Sequence, residues 1–259
     1  MRSLLRLLIT SALAATAAAQ APADTANLLT RIKAWAADYD KRLEDFLCTE
    51  RMTRYKGKIE GDPQWSHLDD QELEVSYHNH RVGYHRVKVD GHTDNLDKRT
   101  KKGYYIPNGE FGAIAWVLGP NADGDYTFER RFTAGGRELC SFSYRLPLER
   151  TNAAIYVNGN RVPLSHHGSV DADCNTAEVR AIHFENDPGE AKVGRRRVLV
   201  GMRLDADYEE VVIGGTRYLL PRRATLVGRF HTQLTRADIE FTNYRKYTTD
   251  ATITYDDVR

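Results

Sequence analysis

Nine histidines are spread along a chain of 259 residues, and two groups of them have the type and spacing that could bind a metal ion or pass a proton. His78 and His80 are two apart, so an extended backbone would put both imidazoles on one face. His85 follows closely, and His166-His167 form the second group. A zinc site needs three or four converging ligands steadied by further hydrogen bonds. A pair at a strand end falls short of that, so these histidines read as polar surface groups and no metal or cofactor is expected. The carboxylate pairs Asp69-Asp70, Glu209-Glu210 and Asp256-Asp257 are adjacent in sequence. Adjacent strand residues point to opposite faces, so none reads as a general acid and base acting together. The chain has no Gly-x-Ser-x-Gly elbow, no His-Glu-x-x-His motif and no phosphate-cradling glycine loop. Catalytic residues are therefore expected to be none, and the chain reads as a protein that binds rather than catalyses.

Compartment and charge narrow the partners. Residues 1–21 place Arg2 and Arg6 ahead of an apolar run from Leu7 to Ala15 and end in Ala19-Gln20-Ala21, the pattern of a secretory signal peptide cleaved after Ala21. The apolar run is well short of the ~20 residues that cross a bilayer, and no second run follows. A periplasmic or secreted protein is expected, with residues 22–259 as a single β-rich domain. Cleavage leaves 35 basic against 36 acidic residues, a formal charge of −1, which offers no electrostatic footprint for nucleic acid or anionic lipid. The basic clusters Lys98–Lys102 and Arg195–Arg197 abut turn-like sequence and read as solvated loops. Alternating runs with charges on both faces, as at Arg222-Arg223 and Arg245-Lys246, also argue against an outer-membrane barrel, where such charges cost ~2–4 kcal/mol each near the midplane. Cys48, Cys140 and Cys174 allow one disulfide and one remaining thiol, in any of three pairings.

The elements follow from periodicity. Leu28, Ile32, Trp35, Tyr39, Leu43 and Phe46 recur at spacings of three and four, which predicts a helix from Asp24 to Leu47 with Asp24 capping its start. Strands are expected at Cys48–Lys58, Leu73–Tyr77 and Val82–Val89. The first is followed by a turn at Gly61-Asp62-Pro63 and the last two are joined by a turn at Asn79–Arg81. The parity change between Tyr84 and Val87 predicts a bulge. Residues 94–109 are charged and without period, hence a loop. Glu110–Leu118 is nearly all apolar, a run that fits a strand as well as a short buried helix; Ala113, Ala115 and the flanking glycines favour the helix, either a plug in the core or a cover over a cavity. Turns at Gly135-Gly136 and Asn158-Gly159-Asn160, and strands at Leu139–Leu146, Gly168–Asp171, Glu178–Phe184 and Arg197–Val212, continue the meander. Val211–Val258 then supplies strands at Tyr218–Phe230 and Leu234–Tyr247, with Ala251, Ile253 and Tyr255 closing the sheet. Pro221 suggests an edge or pre-ladder position. Roughly nine to eleven strands are more than a twisted open sheet holds without curling.

Several short signatures carry a resemblance. Phe46-Leu47-Cys48-Thr49, Gly109-Glu110-Phe111-Gly112, Phe142-Ser143-Tyr144-Arg145, Leu219-Leu220-Pro221 and Glu240–Tyr247 occur in an order and spacing similar to a group of uncharacterised exported proteins frequent in acidobacteria. The order of helix, long antiparallel meander and apolar insert in turn resembles the LolA and LolB lipoprotein carriers of the periplasm. That resemblance implies an α+β fold in which a strongly curved antiparallel sheet, a half-barrel, carries an N-terminal helix and a short helical insert on its concave face. It implies an exported, non-catalytic binding or carrier module for an apolar or lipid-like ligand of the cell envelope. Phe111, Ile114, Trp116 and Leu118 of the insert are the expected lining residues. The other reading is an envelope protein–protein interaction or scaffolding module that binds no small ligand and uses an edge strand or the outer sheet face.

Overall fold

The computed structural model describes residues 22–58, 64–94, 110–151, 153–157, 160–193 and 195–247. The expected signal peptide, the Gly61-Asp62-Pro63 turn, the Lys98–Lys102 cluster, Gly109, Asn158-Gly159, the closing strand at Ala251, Ile253 and Tyr255, and Asp256-Asp257 lie outside the described residues.

The apolar stripe of the first segment forms α1 (Pro22–Arg42), which buries Leu28, Ile32, Ala36 and Tyr39 and leaves Arg31, Asp38 and Lys41 in water. Asp24 lies within its first turn, where a carboxylate faces the positive end of the helix, so it is not the cap residue. The helix stops at Arg42 rather than Leu47. Phe46 keeps the helical spacing from Leu43, but the intervening Asp45 is tied elsewhere: its carboxylate accepts from the Asn79 N–H at 3.0 Å and its carbonyl accepts from the Tyr247 N–H at 3.0 Å. Phe46 instead opens β1 (Phe46–Lys58).

An antiparallel meander follows as β2 (Ser66–His78), β3 (Arg81–Val89) and β4 (His92–Thr93). Asn79 and His80 both have positive φ, as do Asp90 and Gly91, so two-residue primed turns join these strands and match their twist. The expected bulge is present: the pairing of β2 with β3 shifts between Glu72 and Glu74, and Arg86 takes the extra position at φ 47°. Val87 and Val89 are thereby returned to the inner face.

The insert forms α2 (Ala113–Leu118). Beyond it come β5 (Asp125–Ala134), β6 (Arg137–Leu146), a 3-10 turn at Leu148–Arg150, and the separate hairpin β7 (Ala154–Val157) with β8 (Asn160–Pro163). The chain continues through β9 (His166–Asp173), β10 (Val179–Asn186), β11 (Gly189–Val193), β12 (Arg196–Ile213), β13 (Thr216–Phe230) and β14 (Gln233–Lys246). Twelve strands share one antiparallel sheet in the order β4-β3-β2-β1-β14-β13-β12-β10-β9-β6-β5, with β11 on β12. The described sheet is open, and α1 and α2 cover one face of it. This is the curved antiparallel sheet with an N-terminal helix and a helical insert that the sequence predicts.

Fourteen described strands exceed the expected nine to eleven. Strand β11 escapes a pattern search because the five residues of Gly189–Val193 offer too short an alternation, with Ala191 and Val193 as their apolar residues. Pro221 is not on an edge strand: β13 runs between β12 and β14. It does precede the ladder to β14, which pairs Arg223 through Phe230. It faces Tyr208 of β12 where that register shifts. Cys140 of β6 and Cys174 of the β9–β10 turn form the disulfide, and Cys48 is a buried free thiol. Among the described residues the larger of two cores joins α1, α2 and the inner face of the sheet, with Phe46, Phe184 and Phe241 among its largest fully buried side chains, and a smaller cluster gathers Val162, Leu164, Ala191 and Val200. No helix among the described residues is long and apolar enough to cross a membrane.

Candidate functional site

The polar chemistry of the inner face starts from strand parity. On β1 the residues Phe46, Cys48, Glu50 and Met52 alternate inward, so a glutamate is carried into the core. Its cross-strand neighbours are Leu73 on β2 and Phe241 on β14. Glu110, immediately before α2, is the second buried acid. Both are 0% exposed, and none of their four carboxyl oxygens has a hydrogen-bond partner. Burial raises both carboxyls above the ordinary range. Glu110 is pushed up to about 7, and the neighbouring Glu110 adds to the rise at Glu50. A buried polar group without a partner costs about 1–3 kcal/mol, more if charged, so burial favours the neutral form of both acids.

Tyr208 and Tyr244 stand near Glu110 and Glu50, with Tyr39 beside both tyrosines, and none of the three donates to the acids. The Tyr208 hydroxyl donates to the Glu110 carbonyl at 2.9 Å, Tyr39 to the Leu219 carbonyl at 2.6 Å and Tyr244 to the Pro221 carbonyl at 2.5 Å. The last two bonds follow from topology. Because β13 is not yet paired to β14 at Leu219 and Pro221, side chains satisfy carbonyls that a ladder would otherwise take. Burial raises the Tyr208 and Tyr244 hydroxyls. Tyr39 and Glu110 add to the rise at Tyr208, and Cys48, Tyr39 and Glu50 to that at Tyr244, which places these groups within electrostatic reach of one another. Burial also pushes the Cys48 thiol up, so it is not an activated nucleophile.

Tyr39 belongs as well to a cleft of about 320 Å³ between α1 and the start of β13. Trp35, Tyr39, Leu43, Tyr218 and Leu219 line it, and Arg42, Arg217 and Glu178 stand at its polar side. The Trp35 and Tyr39 rings are 5.1 Å apart, and Arg217 pairs with Glu178 and with Glu210. Its size is at the small end of ligand pockets, which run about 300–1,000 Å³. Tyr39 thus lines the cleft and lies within electrostatic reach of Tyr208 and Tyr244, which neighbour the buried acids.

The insert packs against the inner face. Phe111 packs on Phe46 and Phe241 at ring distances of 5.7 and 5.2 Å, and Ile114 and Leu118 are buried. Trp116 is half-buried, 6.1 Å from Phe184. At one end Tyr208 holds the Glu110 carbonyl; at the other the Tyr126 hydroxyl donates to the Val117 carbonyl. Of the four residues expected to line a ligand, Phe111, Ile114 and Leu118 fill the core, as a plug would. His166 lies near Trp116 through Phe184, whose ring is 4.6 Å from the imidazole. It is buried, neither ring nitrogen has a partner, and burial lowers its pKa to about 4.

The remaining histidines disperse. His78 and His80 do not share an extended face, because His80 sits in the turn at φ 58°. His78 Nδ1 bonds Asp45 at 2.6 Å, His80 bonds Tyr77, and His85 bonds Ser76 at 2.9 Å. Among the described residues no group of three or more His, Cys, Asp or Glu side chains could hold a metal ion. Asp69 is buried in a bidentate pair with Arg54, one bond at 2.7 Å, and Glu210 joins Arg137, Arg180 and Arg217 at the sheet surface. Sequence reasoning missed Glu50 and Glu110. The available signals were that Glu50 shares the period-two face of Phe46, Cys48 and Met52, and that Glu110 abuts the apolar run of the insert.

A larger pocket, about 840 Å³, lies across β2, β1, β14 and β13. Five of its charged residues, Lys88, Glu72, Arg51, Glu240 and Arg223, oppose one another in successive strand registers and so share the outer face. They alternate in sign, and this is the solvated side of the sheet.

No protein-family model and no curated protein matches the chain. Solved structures are similar to it in architecture. A LolA superfamily protein from Nitrosomonas europaea aligns at 10% identity over 90% of this chain and 97% of its own, with a TM-score of 0.31. A DUF1329 family protein from Desulfovibrio piger aligns at 10% identity over 86% and 92%, with a TM-score of 0.36. A chain of the Pseudomonas aeruginosa MucA/MucB complex aligns at 9% identity over 87% and 99%, with a TM-score of 0.20.

Proposed function

We propose that residues 22–259 form a single exported domain, periplasmic or secreted, that acts as a non-catalytic binding or carrier module for an apolar or lipid-like ligand. The observation that carries this reading is the aromatic-walled cleft between α1 and β13, whose lining residue Tyr39 donates to the Leu219 carbonyl. An apolar chain would enter along Trp35 and Tyr218. Phe111, Ile114, Trp116 and Leu118 would cover it after α2 lifts, since in the closed state these side chains occupy the inner face. Exchange of one apolar contact for another costs little, which suits a module that must both load and release. Short-wavelength tryptophan fluorescence gives the test, because Trp35 lines the cleft, Trp116 is on α2, and Trp65 packs near Gly57 at the far end of β1. A brominated fatty acid should quench single-tryptophan variants that keep Trp35 or Trp116, and native mass spectrometry of protein recovered from the envelope should show a co-purified amphiphile. Quenching of Trp65 alone, with no retained lipid, would remove the reading.

A second reading, an envelope interaction module without a small ligand, has one observation in its favour. Strand β5 is a ten-residue end strand of the described sheet, and an end strand offers main-chain groups to an extended partner segment. Photocrosslinkers placed along the exposed positions of β5 should then capture one partner protein in the native envelope, whereas no specific adduct would count against it.

A further inference from the structure

We propose that Glu50 and Glu110 are the head-group subsite of this ligand, and that the head they take is a cationic primary amine. The inference rests on the binding reading above and adds the chemistry of the ligand's polar end.

Four buried carboxyl oxygens lack a partner, while the hydroxyls of Tyr39, Tyr208 and Tyr244 are each committed to a main-chain carbonyl. The cross-strand neighbours of Glu50, Leu73 and Phe241, bring no polar atom. Arg54, four residues further along the same inward face of β1, is engaged bidentately by Asp69. Apart from the protons the acids themselves carry, no side chain donates to these four oxygens and no cation stands beside them, an arrangement that native interiors seldom keep without a use. Its complement is a compact group with several donors and one positive charge. An alkylammonium supplies three N–H groups and a charge, whereas an alcohol supplies one O–H and leaves most of the oxygens unmet. Burial holds the acids protonated when the subsite is empty. The ammonium therefore displaces a proton: a carboxylic acid becomes a carboxylate, the cation takes its place beside it, and one proton leaves to solvent, so the buried net charge is unchanged. Cys48, Tyr39, Tyr208 and Tyr244 are the other titratable groups facing the pair, and burial keeps Cys48, Tyr208 and Tyr244 neutral throughout.

Isothermal titration calorimetry of the exported protein with dodecylamine, dodecanol and dodecanoate, each below its micellar concentration and in two buffers of different ionisation enthalpy, decides the matter. The amine should bind about tenfold tighter or more than the alcohol, with close to one proton released below pH 7. E50Q, E110Q and the double variant should bring amine and alcohol together, while Glu72→Gln on the outer face should leave the ratio unchanged. The comparison of amine with alcohol on the unaltered protein needs no variant to fold. Equal affinity for amine and alcohol, or an amine advantage that survives both Gln substitutions, overturns the head-group assignment while leaving the binding reading intact. Failure of all three chains to bind overturns both.

Discussion

Glu50 and Arg51 are neighbours on β1 and live in opposite worlds. Arg51 points outward, where Glu72 accepts from it at 3.1 Å and also pairs with Lys88 at 3.1 Å. The outward row continues with alternating sign through Glu240, Arg223 and Asp207 across six strands. Lys88 and Arg51 hold the Glu72 carboxyl below its ordinary range. Glu50, one residue away, meets Leu73 and Phe241, has no partner and is held above that range by burial. The same residue type is therefore a satisfied surface anion on one face and an unsatisfied acid on the other, and strand parity alone separates the two fates. The outer face can be explained by solubility and cross-strand pairing. The inner pair cannot, because unpartnered buried acids lower stability.

The contrast can be broken at graded cost. Phe241→Ala removes the ring that packs on Phe111 and walls Glu50, and should destabilise the protein by about 3–5 kcal/mol in urea denaturation. Glu50→Leu, in contrast, replaces the unpartnered carboxyl with an apolar chain among apolar neighbours and should stabilise by about 1–3 kcal/mol at neutral pH, while abolishing the amine preference. Its pH signature is specific. The Glu110 carboxyl titrates near 7 in the folded protein and near 4.5 when unfolded. Its stabilising contribution is whole below about pH 4.5 and is lost as pH rises toward 7. E110Q should flatten that decline. His166 acts with the opposite sign: its lowered folded value, about 4 against an ordinary 6.5, makes stability fall as pH drops through that interval. The smallest effect is expected outside, where Arg51→Ala should cost less than about 1 kcal/mol and less still at high salt.

The outer face and the frame were legible in the sequence because they depend on local rules. Asp90-Gly91, Gly135-Gly136 and Gly214-Gly215 adopt positive φ at both central positions, the conformation that glycine permits, and so mark hairpins. Alternation at Leu73, Val75 and Tyr77 identifies an inner face without knowledge of its partner. What stayed hidden depends on tertiary contact. The end of α1 is set by Asp45 bonding to the β2–β3 turn and to Tyr247, residues far away in sequence. The position of Pro221 reflects where β13 parts from β14. Glu50 and Glu110 were passed over because a glutamate is ordinarily a surface residue. Their meeting requires the turn that leads into α2 to lie against β1 and β14, as the Phe111 contacts show.

The most direct test of this inside–outside account is a carbon-detected carboxyl titration of isotopically labelled protein, following Glu50, Glu110 and Glu72 together. The account predicts that Glu72 ionises below 4.5 while Glu110 remains protonated until about pH 7 and Glu50 also titrates well above 4.5. Joint titration of all three in the ordinary carboxylate range would contradict it.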